Sequence, residues 1–122
     1  MYPEAKFDIY HTGYPYEGEM NVIAKNFANV YTNMCFLPIV SFSVAKTVLH
    51  EWIEMIPGNK IFGFGGDYAF VEGSYTHSVI ARDLFAQVFA EKVESGYLTE
   101  DHAVRLAWGM LRENPARVYG LL

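Results

Sequence analysis

Lys60-Ile-Phe-Gly-Phe-Gly-Gly-Asp-Tyr68 decides the reading of this chain: a short apolar run of strand type ends on two glycines and then a carboxylate. A strand buried in a sheet does not tolerate an acid in its middle. An acid at its carboxyl end lies on the rim where α/β proteins collect their ligands. Gly65 and Gly66 allow the backbone to turn or to approach a ligand without a Cβ in the way. Lys6-Phe-Asp-Ile-Tyr-His11 repeats the pattern with a histidine at its end. Two strands are therefore expected to deliver His11 and Asp67 to one face.

Working outward, short apolar runs alternate with longer helical patterns. The first strand is expected at about Phe7 to His11, followed by a loop through Thr12-Gly13-Tyr14-Pro15 and a helix from about Glu17 to Phe27. Asn29 to Met34 reads as the second strand and Lys60 to about Phe64 as the third. Between them, Ser41 or Ser43 caps a helix whose Val48, Leu49, Trp52, Ile53 and Ile56 recur at helical spacing until Pro57-Gly58 ends it. Thr76 is expected to cap a long helix carrying Val79, Ile80, Leu84, Val88 and Val93, closed by Gly96 in a left-handed conformation. Thr99, with Glu100 and Asp101 in the first turn, starts a last helix whose inner face is expected at Val104, Ala107, Trp108 and Leu111. Strands separated by helices pair in parallel through right-handed crossovers. The class is α/β, and a three-stranded sheet leaves its edges and part of its faces uncovered.

The 122 residues suit one domain, and a hydrophobic fraction of 52% excludes a disordered polymer. Nine scattered basic residues and a net charge of −5 exclude a general nucleic-acid binder. No run of about 18 apolar residues and no amino-terminal leader pattern is present, so the chain is expected to act in the cytoplasm without a membrane partner. Cys35 is the single cysteine; it precludes an internal disulfide and reads as a buried structural thiol. The glycines at 63, 65 and 66 lack the continuation of a P-loop, and no Gly-x-Ser-x-Gly occurs.

Four segments, taken in order, resemble the carboxyl-terminal part of the amidohydrolase superfamily, in its amidohydrolase-related branch of metal-dependent hydrolases and decarboxylases. They are His11-Thr-Gly-Tyr-Pro-Tyr16, Ala28-Asn-Val-Tyr31, Pro57 through Asp67, and Leu111-Arg-Glu-Asn-Pro-Ala-Arg-Val-Tyr119. The resemblance implies a partial (β/α)8 TIM barrel over residues 1–122, with about three carboxyl-terminal βα units and a final extra helix. It implies that His11 and Asp67 are both metal ligands and catalytic groups, with zinc as the divalent metal. The family's first-strand His-x-His pair has no counterpart, since no two of His11, His50, His77 and His102 lie two residues apart.

Asp67 offers a hard carboxylate to a divalent ion and a base for water; His11 offers a ligand nitrogen or a proton relay. Either residue also has an ordinary structural use, in a loop cap or a satisfied strand end. Tyr14, Tyr68 and His77 are candidates to touch a small-molecule substrate, although tyrosines past strand ends serve equally as rim packing. The implied reaction is hydrolysis of an amide, ester or lactone by metal-activated water, or decarboxylation of a small acid. The chain alone is expected to be inactive, requiring a missing amino-terminal barrel half or a homo-oligomer. The alternative is a non-catalytic half-barrel module that assembles through its open sheet edges.

Overall fold

The computed structural model describes residues 2–121. Three short strands, β1 (Phe7–Ile9), β2 (Val30–Asn33) and β3 (Ile61–Phe62), form one parallel sheet in the order β1-β2-β3. Phe7 pairs with Val30, Ile9 and Ile61 both pair with Thr32, and Phe62 pairs with Asn33. The rest is mostly helix: α1 (Glu17–Asn26), α2 (Leu37–Val40), α3 (Phe42–Met55), α4 (Val71–Glu94), α5 (Glu100–Trp108), a π-helical turn (Gly109–Glu113) and α6 (Asn114–Val118).

One face of the sheet supplies Val30 and Ile61 to a core with Leu49, Trp52, Leu84 and Val88, all buried. Inside it the Trp52 indole donates to Asn21 Oδ1 at 2.8 Å, and Asn21 Nδ2 donates to Glu51 at 3.0 Å. The polar atoms of this buried pair are thereby matched, which burial requires. Lys60 is also buried. Its ammonium donates to the carbonyls of Ala24 and Phe27, where α1 runs out of backbone donors and its dipole is negative.

The opposite face carries Asp8, Tyr31, Asn33 and Phe62. Tyr31 and Phe62 stack with centroids 5.3 Å apart, and Tyr119 packs on Phe62 at 6.1 Å. The Tyr119 hydroxyl donates to Asp8, a bond that holds its pKa well above the usual phenol range. This arrangement corrects the expectation of a partial TIM barrel. A barrel needs long tilted strands with side-chain layers between them; here the strands span two to four residues and the carboxyl-terminal Tyr119 covers the second face. The molecule is an open three-stranded parallel α/β sheet with its helical core packed on the face of Val30 and Ile61.

β3 stops at Phe62 for a reason visible in the last helix. The Asn114 N–H bonds to the Gly109 carbonyl, five residues back, so the matching partner for the Met110 carbonyl is Pro115, which has no N–H. Gly63 N–H takes that free carbonyl at 2.8 Å, drawing the chain off the sheet and onto the helix. A Cβ at Gly63 would lie 2.4 Å from the Phe85 ring, so glycine is required by this approach. Asn114 Nδ2 completes the join by donating to Gly58 and Ile61 carbonyls at 2.7 and 2.9 Å.

Two helix expectations also change. α4 begins at Val71, five residues before Thr76, and Thr76 lies inside it with its hydroxyl bonded to the Glu72 carbonyl. Val104 and Trp108 face outward, 63% and 56% exposed, while Ala103 and Met110 are buried in their place. No helix among the described residues is long and apolar enough to cross a membrane.

Candidate metal site at the carboxyl edge of the sheet

All three strands release their chains at the same edge, and each release carries a donor. β1 passes into a tight turn in which His11 (φ 59°) and Thr12 (φ 56°) adopt left-handed backbone. β2 is followed by Cys35 and by Phe36 at φ 61°; the loop after β3 places Asp67 at φ 48°. Four non-glycine residues in this sparsely populated region, gathered at one edge, mark a segment held in place by its surroundings.

The donors are tied together through Asn33 at the end of β2. Its Oδ1 accepts from the Cys35 N–H at 3.0 Å, and its Nδ2 donates to Asp8 Oδ2 at 3.0 Å. The Cys35 carbonyl accepts from His11 Nδ1 at 2.8 Å. A carbonyl only accepts, so Nδ1 carries the hydrogen and the neutral imidazole presents the Nε2 lone pair. Nε2 lies 3.7 Å from Asp67 Oδ2. A ring nitrogen of His11, Cys35 Sγ and an Asp67 oxygen all lie within 4.8 Å of one another.

Gly65 makes this convergence possible: a Cβ there would stand 2.8 Å from both Cβ and Sγ of Cys35. The thiol is buried, whereas the His11 and Asp67 side chains are half-exposed. Burial, followed by the nearby negative charge of Asp67 and of Asp8, pushes the Cys35 thiol up to about 12. No lysine or arginine among the described residues pairs with Asp67. The donor set of imidazole, thiol and carboxylate suits a borderline-soft divalent cation.

The other candidates take distinct places. Tyr14 is exposed beyond the His11 turn, its N–H bonded to the His11 carbonyl at 2.8 Å. Tyr68 follows Asp67 and packs on Phe36 at 5.3 Å and Phe70 at 5.5 Å. His77, on α4, is fully buried among the rings of Phe36, Phe64 and Tyr68. Burial lowers its pKa, and its Nε2 has no partner. Cys35 is the residue that sequence reasoning passed over as a structural thiol. The available signal was positional: it follows the last residue of β2 by two, as His11 follows the last residue of β1 by two.

No family model matches this chain. Over 122 residues, 99% of its length, the chain is 30% identical to the protein fluG of Emericella nidulans, and it spans 14% of that protein.

Proposed function

We propose that this chain forms part of a metal-dependent hydrolase resembling the amidohydrolase-related branch, acting on an amide, ester or lactone, or decarboxylating a small acid. The observation that supports the reading is the His11–Asp67 pair at 3.7 Å, with the imidazole tautomer locked so that a bare nitrogen faces the carboxylate. A bound divalent cation would supply Lewis acidity toward a carbonyl and toward water. His11 Nε2 and an Asp67 oxygen would hold it. The half-exposed Asp67 carboxylate is also placed to accept a proton from an adjacent water. The Cys35 carbonyl fixes the His11 ring, a support typical of ligating histidines. Tyr14 and Tyr68 would line the approach for substrate. His77, being enclosed, would act by supporting Tyr68 and the Gly66 carbonyl, which lies 3.4 Å from its Nδ1.

Further components of the catalytic centre would come from outside these residues, from preceding polypeptide or from another copy. The test uses the purified native protein, assayed on an aryl ester, an N-acyl amide, a small lactone and an unsaturated acid, before and after chelation. Chelator-sensitive turnover that disappears in Asp67→Asn supports the reading; turnover unaffected by both treatments overturns it. A second reading, a non-catalytic assembly module, is favoured by an apolar groove between α4 and α5 lined by Phe85, Phe89, Ala103 and Val104. Sedimentation combined with the assay separates the two: an oligomer without chelator-sensitive turnover favours assembly, whereas a stable folded monomer at micromolar concentration speaks against assembly and against completion of the centre by another copy.

A further inference from the structure

We propose that Cys35 is the third ligand of this site, so that His11, Cys35 and Asp67 together hold one zinc-class cation within these 122 residues. The inference rests on the reading of His11 and Asp67 as ligands and adds to it a thiolate that makes the site selective for thiophilic metals.

The geometry carries the argument. Donor atoms bound to one tetrahedral zinc stand about 3.3–3.7 Å apart, given bonds of about 2.0–2.3 Å. His11 Nε2 and Asp67 Oδ2 are already 3.7 Å apart, and Cys35 Sγ lies within 4.8 Å of a His11 ring nitrogen and of an Asp67 oxygen. Closure therefore requires side-chain adjustments of about 1 Å, within the reach of χ rotations. The backbone around Cys35 is fixed on both sides, its N–H on Asn33 and its carbonyl on His11, so the thiol is held at the site by bonds that do not use its sulfur. The missing Cβ of Gly65 leaves the sulfur its space.

The electrostatics point the same way. None of the described lysines or arginines forms an ion pair with Asp67 or Asp8. A dication would compensate this concentration of acceptor groups. On binding, the Cys35 S–H bond breaks, its proton passes to solvent, and the sulfur lone pair forms the bond to the metal. Thiolate, imidazole and carboxylate from one face leave the solvent side open, because both His11 and Asp67 are half-exposed. Magnesium, calcium and manganese, which prefer oxygen donors, would bind poorly.

Cobalt(II) titration of the purified chain under reducing conditions tests this, since a cobalt–thiolate bond gives a near-ultraviolet charge-transfer band that nitrogen and oxygen ligands do not. The expected result is saturation at one cobalt per chain with that band, displacement by zinc, and no displacement by millimolar magnesium. Cys35→Ser and Cys35→Ala should abolish the band and weaken zinc binding about tenfold or more. Asp67→Asn should weaken binding while keeping the band. Far-ultraviolet circular dichroism establishes that each variant is folded. Cobalt binding that lacks the band but is lost in Asp67→Asn overturns the Cys35 assignment and leaves the His11–Asp67 reading standing. Absence of binding by the folded wild-type chain overturns the three-ligand site and deprives that reading of its metal within this chain.

Discussion

Gly65→Ala isolates the contact on which the metal site depends. Gly65 is not held in left-handed backbone, so alanine is conformationally acceptable there and its effect is steric. The added Cβ would stand 2.8 Å from Cys35 Cβ and Sγ and 3.3 Å from Asn33 Oδ1. Ordinary carbon contacts are about 3.5–4.0 Å, so the loop and the Cys35 strand end must separate by about 0.7–1.2 Å. Overpacking of this size costs about 1–3 kcal/mol. In a chain of 122 residues, 2 kcal/mol near the middle of that range corresponds to a fall in Tm of about 6–10 °C. Urea unfolding followed by circular dichroism measures the loss. The same variant in a Cys35→Gly background should recover most of it, because both colliding atoms are gone. An equal cost in the two backgrounds, or no cost in either, would refute the assigned contact.

The remaining predictions concern the supports of the site. Asn114→Ala removes donors from the Gly58 and Ile61 carbonyls and leaves both unmatched beside β3; a destabilisation of about 2–4 kcal/mol is expected in urea unfolding. Asn21→Ala leaves the buried Trp52 indole N–H without its acceptor and should cost about 1–3 kcal/mol by the same assay. Hydrogen bonds from Lys46 and His50 hold the Glu91 carboxyl below its ordinary value of 4.5. Its stabilising contribution is therefore present above pH 4.5 and is lost as the pH falls through the lower folded value. Glu91→Gln should flatten that part of the acid limb in a Tm-against-pH series while leaving the limb above pH 7 unchanged.

Local rules carried much of the fold because their signals are local. Ser41 does cap α3 through the Val44 N–H, Thr99 caps α5 through the His102 N–H, and Gly96 stands at φ 75°. The three parallel strands also follow from their alternation with helices. The start of α4 was hidden because its cap position, Phe70, makes no side-chain cap bond, and Gly73 resembles a loop residue. That glycine is present because the Tyr68 and Phe70 rings lie over it, 2.5 and 2.8 Å from where a Cβ would be. On the last helix Ala107 and Leu111 do pack against the core, whereas Ala103 and Met110 are buried in place of Val104 and Trp108, a choice of face that apolar spacing alone does not make. Resemblance to a barrel family led toward a barrel that the short strands and the Tyr119 cover do not form. His11 and Asp67 were legible as strand-end donors, but Cys35 was not. A single thiol has no spacing pattern, and only the fold brings it to residues 24 and 32 positions away.

Metal content of the chain is the most direct test of the account. Purified in the presence of zinc, dialysed and analysed by atomic emission, the wild type should retain one zinc per chain, and His11→Ala and Asp67→Asn should each retain far less while remaining folded. A folded wild-type chain that emerges without zinc, or variants that keep it in full, would contradict the claim that these strand ends form a metal site.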